Sequence, residues 1–255
     1  MTESYIKIIA ISFSITLLFA VLLVLLLKLY NKYFMGTGEN AMILGKIDTS
    51  LYTVIPSIEL LKPFDGFNYS LVFSINIQNF YHNYGYWRHI MHIGSAINED
   101  KVLEYPSGGN DDLNWEMVEA DFPQQNPGFW LHPVKNIIRL VITTEQNEFT
   151  DYPEHAQPST KYVPSDTQIK QYSKKIINTI DLHDIPINKD VSLGFVIEGN
   201  SVRYYIDGVL RSVFTFNGKA FDNNGAMYIH RNKTYSGRIN NLRLYPKPIS
   251  EKKIE

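Results

Sequence analysis

The sequence predicts an all-β fold, two antiparallel sheets stacked as a sandwich, preceded by one membrane-spanning helix. Three features predict it: a run of twenty uncharged residues near the N-terminus, apolar residues at alternate positions beyond it, and tight-turn dipeptides between the alternating segments.

The uncharged run is IIAISFSITLLFAVLLVLLL, residues 8–27. At about 1.5 Å per residue it is roughly 30 Å long, the thickness of a bilayer's hydrocarbon core. Tyr5, Tyr30 and Tyr33 flank it, where amphipathic rings meet lipid headgroups. A cleaved signal peptide would have a shorter apolar core ending in small residues, whereas Lys28 and Lys32 follow this one. Residues 1–33 are therefore expected to be an uncleaved anchor (helix about 6–28) that contacts the lipid bilayer through residues 8–27. Lys28 and Lys32 favour a cytoplasmic C-terminal side. The sequons Asn68-Tyr69-Ser70 and Asn232-Lys233-Thr234 favour the opposite side, and orientation stays open.

Residues 34–50, with Gly36, Gly38 and Gly45, read as a juxtamembrane linker, and residues 51–255 as the sandwich. Tyr69–Ile77 alternates apolar and polar residues, as expected of a strand with one buried face. Val191, Leu193, Phe195 and Ile197 repeat the pattern. Gly199-Asn200 and Asp207-Gly208 supply positive φ for primed turns, which makes the strands on either side of Ser201–Ile206 two successive hairpins. Arg88–Gly94, Gly128–Leu131, Ile137–Thr143, Met227–His230 and Gly237–Leu244 complete the expected strands. Two polar stretches, 96–126 and 145–172, read as long loops.

Composition excludes several classes. With 24 basic and 26 acidic residues there is no basic footprint for nucleic acid. The absence of cysteine removes disulfides, thiolate zinc sites and a thiol nucleophile.

Three segments in order carry a family resemblance. They are Asn126-Pro127-Gly128-Phe129-Trp130-Leu131 leading into Ile137–Thr144; Ile185–Lys189 followed by Val191–Glu198 and Tyr205-Ile206-Asp207-Gly208; and Gly237-Arg238-Ile239-Asn240-Asn241-Leu242-Arg243 before Pro248. Over about residues 60–250 the chain resembles the laminin G-like branch of the concanavalin A-like superfamily. The resemblance implies a two-sheet jelly roll that binds carbohydrate or protein on its concave face and rim loops. Anchored versions of this domain resemble proteins of large DNA viruses and microbes, which implies a virion membrane or cell surface as the setting. One departure stands out: Asp190 occupies a position where many relatives carry Trp.

No catalytic centre assembles from the sequence. Glucanases of the superfamily use a Glu-x-Asp-x-Glu strand, and here Glu119-Ala120-Asp121 is followed at the next same-face position by Pro123. His89 and His92, three apart on a strand, are expected on opposite faces and so unable to share a metal. Asp111 and Asp112, within an acidic loop, are the expected ligands if calcium is held there, as rim loops of relatives hold it. Tyr81, Tyr84 and Tyr86 in an aromatic turn, with Trp115 in the acidic loop, are the expected ligand contacts. Trp130 reads as core. Three roles follow: a non-catalytic module binding a glycan or protein, a scaffolding subunit with homo-oligomer or particle neighbours, and, least supported, a glycoside hydrolase.

Overall fold

A computed structural model describes residues 16–19, 21–26, 41–61, 68–95, 115–147, 173–216, 218–220, 225–231 and 235–254. The chain divides into Met1–Asn40 and Ala41–Glu255. In the first unit residues 16–19 and 21–26 are helical, and the rest of the expected span 8–27 lies outside the described residues. Among the described residues no helix is long and apolar enough to cross a membrane.

The second unit is all-β with one short helix. Its strands are β1 (Met42–Leu44), β2 (Ile47–Asp48), β3 (Thr53–Ile55), β4 (Tyr69–Asn79), β5 (Arg88–Gly94), β6 (Gln125–Leu131), β7 (Ile137–Asn147), β8 (Ser173–His183), β9 (Asp190–Glu198), β10 (Ser201–Ile206), β11 (Val209–Thr215), β12 (Lys219–Ala220), β13 (Ala226–Ile229) and β14 (Ser236–Tyr245). The helix α1 is Trp115–Asp121. One seven-stranded sheet has the order β1-β14-β4-β9-β10-β11 with β2 also on β14. The other has the order β12-β7-β6-β5-β13-β3 with β8 also on β7. The named strand pairs are all antiparallel.

The facing sides of the two sheets make the core. Leu71, Phe73, Ile75 and Ile77 of β4 and Val191, Leu193, Phe195 and Ile197 of β9 join Ile90, Phe129, Leu131, Leu140 and Ile229 from the opposite sheet in one cluster. Phe129 meets Phe73 edge-on at 5.3 Å and Phe195 at 4.7 Å, so aromatic contacts tie sheet to sheet. The predicted turns hold: Gly199 has φ 61°, and Asp207 and Gly208 have φ 49° and 75°.

Each sheet also carries a cover on its outer side, which alternation alone did not predict. Trp115 and Val118, on one side of α1, and Phe122 just past its end pack with Trp87, Trp130 and Val141 over the second sheet. The C-terminal segment lays Ile249 and Ile254 with Tyr245 over Val72, Val196 and Tyr205 of the first. β4 is thus buried on both faces, Ser70 and Val72 included, rather than on one.

Four expectations are corrected. Residues 42–48 are not linker: β1 and β2 complete β14, and the unit begins at Ala41. The loop read over 96–126 ends earlier, since residues 115–131 form α1 and β6. The loop read over 145–172 loses residues 145–147 to β7. β8, an edge strand, went unpredicted because adjacent Ile176 and Ile177 break its alternation.

The ends of β4 define two ends of the sandwich. Met42 pairs with Leu244 and Ser70 with Tyr245, whereas Asn79 pairs with Ser236. Ala41 therefore enters at the Ser70 end. The turn after Asn79 lies at the other.

Candidate functional site

Residues 79–87 cross from the first sheet to the second through a series of tight turns. Tyr84 N donates to Tyr81 O at 3.2 Å, Tyr86 N to Asn83 O at 3.3 Å, and Tyr81 N to the Asn79 side chain at 2.9 Å. Asn83 and Gly85 supply the left-handed backbone, with φ 52° and 85°. Gly85 N donates to Pro133 O at 3.0 Å, which ties the turn to residues 132–136.

The clamp is Arg88, the first residue of β5, whose side chain has no exposed surface. Its guanidinium donates to Phe80 O and His132 O, to His82 O at 3.2 Å and to Pro133 O at 3.5 Å. Its Cζ also lies 4.6 Å from the centre of the Phe80 ring. Burial lowers its pKa to about 10, so it remains a cation at neutral pH. A planar fork with several fixed donors suits this arrangement; a lysine's point charge does not.

On this base the rings rise outward. Phe80 is buried, Tyr84 is 47% exposed and Tyr81 is 75% exposed. Tyr81 and Tyr84 lie 5.6 Å apart, and each contacts Phe80 at 6.0–6.2 Å. Tyr86 is only partly exposed, so of the three expected contacts Tyr81 and Tyr84 present the larger surface.

Trp115 does not join them. It is 6% exposed and stacks near Trp87 at 4.7 Å, while its indole N–H donates to Glu119 at 2.6 Å. Arg139 sits 4.8 Å from Trp87 and 5.0 Å from Trp115, and Asp181 receives it at 2.7 and 2.9 Å. Trp115 thus packs into the wall behind the turn and presents little surface. Trp130 is core, as expected.

Glu119 and Asp121 lie on α1, where an i, i+2 spacing turns side chains to different sides. The strand-borne carboxylate array considered from sequence is therefore not formed. Burial raises the pKa of Glu119. Asp111 and Asp112 lie outside the described residues, and among the described residues no group of three or more acidic, histidine or cysteine side chains is arranged to hold a metal.

The expectation that His89 and His92 lie on opposite faces is overturned. Their rings touch, His89 Nε2 to His92 Nδ1 at 2.9 Å, because the register with β6 shifts between His89 and Met91. One extra residue in a bulge restores two side chains to a common face. His82 stands apart, exposed on the turn. At Asp190 the carboxylate accepts from Asn76 Nδ2 at 3.0 Å and from Arg238 at 3.0–3.1 Å, which makes a polar cluster there.

No protein-family model matches the sequence, and no curated protein matches it. Among solved structures it is similar to the botulinum neurotoxin serotype D binding domain, at 13% identity and TM-score 0.44, covering 85% of this chain and 44% of that one. It is similar also to the CBM40 of a Ruminococcus gnavus IT-sialidase bound to α2,3 sialyllactose, at 10% identity and TM-score 0.47, covering 84% and 96%. A third is the binding domain of botulinum neurotoxin DC in complex with rat synaptotagmin II, at 10% identity and TM-score 0.46, covering 85% and 46%. The chain spans less than half the length of the toxin chains. Likeness this distant adds nothing to the architecture already described.

Proposed function

We propose that Ala41–Glu255 is a non-catalytic, concanavalin A-like binding module that takes carbohydrate at the Tyr81–Tyr84 turn. We propose also that residues 8–27 anchor it in a membrane, on the strength of their length and lack of charge. The observation that carries the binding reading is the pair of exposed tyrosines on a turn immobilised by buried Arg88. Two neighbouring exposed rings offer a ligand a joint apolar surface to cover, and a rigid turn has already lost the entropy that binding would otherwise cost. Aromatic faces suit the C–H faces of pyranose rings, and the phenol hydroxyls supply hydrogen bonds at the rim. Part of each outer sheet face carries its own apolar cover.

The test is a glycan array probed with the full chain in mild detergent, with and without calcium. Tyr81→Ala combined with Tyr84→Ala is expected to weaken retention at least about tenfold, near 1.4 kcal/mol, without shifting the melting temperature. Retention of no glycan in either condition, or equal retention by the double variant, counts against the reading. Retention of a protein partner alone, lost in the double variant, would replace carbohydrate by a protein ligand.

A further inference from the structure

Three buried histidines sit where the second sheet meets the Asp48–Tyr52 segment, and their hydrogen bonds fix where each proton resides. The backbone N–H of Arg231 donates to His89 Nδ1 at 3.0 Å. A neutral His89 therefore carries its proton on Nε2 and donates it to His92 Nδ1 at 2.9 Å. His92 in turn carries its own proton on Nε2. This arrangement holds only while both rings are neutral. A proton added to His89 sets Nδ1–H against the Arg231 N–H. A proton added to His92 sets Nδ1–H against the His89 Nε2–H, and the alternative tautomer of His89 again opposes Arg231.

The surroundings offer the pair little that would welcome charge. From α1's end comes Phe122, stacked on His89 at 6.0 Å and edge-on to His92 at 5.2 Å; from β6 comes Trp130, 4.7 Å from His89. From β13 comes Tyr228, stacked on His92 at 4.8 Å, and from the residues after it His230 and Arg231, both repelling charge on His89. Among the described residues, the backbone of Ser95 favours a charged His92. Asp48 lies beside His230, not beside the pair; its carbonyl is 3.1 Å from His230 Nδ1.

We propose that the His89–His92 pair is a proton-operated latch, which holds residues 228–231 to β5 when neutral and releases them, with the attached Asp48–Tyr52 segment, in mild acid. The attachment is explicit. Arg231 Nη1 donates to the Tyr52 hydroxyl at 3.3 Å and its guanidinium lies 5.4 Å from that ring, while His230 holds the Asp48 carbonyl. Release would loosen an edge of the second sheet and leave the central strands paired.

Burial drives all three histidines down: His89 well below its usual range, His92 to about 3 and His230 to about 4. Groups held neutral in the fold contribute stability that is complete above an unfolded pKa near 6.5 and is lost as pH falls from there toward the folded values. At pH 5 a histidine that regains a pKa near 6.5 in the open form lowers the closed-to-open ratio by about 30-fold.

Hydrogen exchange of the full chain at pH 7.5, 6 and 5, corrected for intrinsic rates, tests the latch. Amides of 225–231 and 48–52 are expected to lose at least about tenfold in protection by pH 5 and to regain it on neutralisation, while β4 and β9 keep theirs. Unchanged protection at pH 5 would overturn the proposal. So would equal loss in β4 and β9, which means global unfolding. The variant His92→Asn, which keeps an acceptor near Nδ1, is expected to shift opening to lower pH; opening at the same pH would show that the pair is not the trigger. Should that variant not fold, the wild-type exchange pattern decides alone.

Discussion

Arg88→Met is expected to destabilise the sandwich by about 3–5 kcal/mol and to abolish presentation of the Tyr81–Tyr84 pair. Methionine fills much of the aliphatic volume, so the loss comes from polar groups. The carbonyls of Phe80, His82, His132 and Pro133 all receive the guanidinium in the wild type. Without it, buried carbonyls lose their donor where water is largely excluded, at about 1–3 kcal/mol each before relaxation. Arg88→Lys keeps a cation yet cannot span both segments, and is expected to recover less than half of the loss. Urea unfolding midpoints for the three proteins measure this. A deficit under about 1 kcal/mol for Arg88→Met would show that the turn does not depend on its clamp.

Gly237→Ala is the second large effect, expected at about 3 kcal/mol or more. A Cβ there would lie 1.8 Å from Asn76 O and 2.8 Å from Tyr235 Cε2. The first neighbour is the backbone of β4, a central strand held by β9 on its other side, so it has no room to retreat. Two other glycines serve as internal comparisons. At Gly194 the obstacle is the Ile254 methyl at 2.3 Å, the end of a side chain in the C-terminal cover, and about 1 kcal/mol is expected as that cover shifts. Gly45 meets nothing within 4 Å, and alanine there is expected to be near neutral. Thermal melts of the three variants should rank in that order; a Gly237→Ala protein as stable as Gly45→Ala would contradict the close approach of β14 to β4.

Much of this fold was legible in residue order because its rules are local. Alternation in β4 and β9, and the dipeptides Gly199-Asn200 and Asp207-Gly208, specify strands and hairpins from neighbours alone. What stayed hidden depends on distant residues. The buried side of α1 comprises Trp115 and Val118, with Phe122 just past its end, too short a pattern to separate from a loop. Nothing near His89 announces the bulge that turns it toward His92. The outward tyrosines were visible as rings in a polar turn, whereas the residue that fixes them was not. Arg88 begins a strand in which His89, Ile90, Met91, His92 and Ile93 are also buried, and a charge in such company is the signal that points to a clamp.

The course of β4 separates the Ala41 end of the sandwich from the tyrosine turn. Its eleven residues rise about 35 Å in all, with the incoming chain at one pole and the paired phenols at the other. Ala41, beside Met42 and its partner Leu244, therefore lies most of a strand length from those rings. A substitution at the Ala41 end is thus separated from the Tyr81–Tyr84 turn by the length of β4, and the two ends of this unit can vary independently.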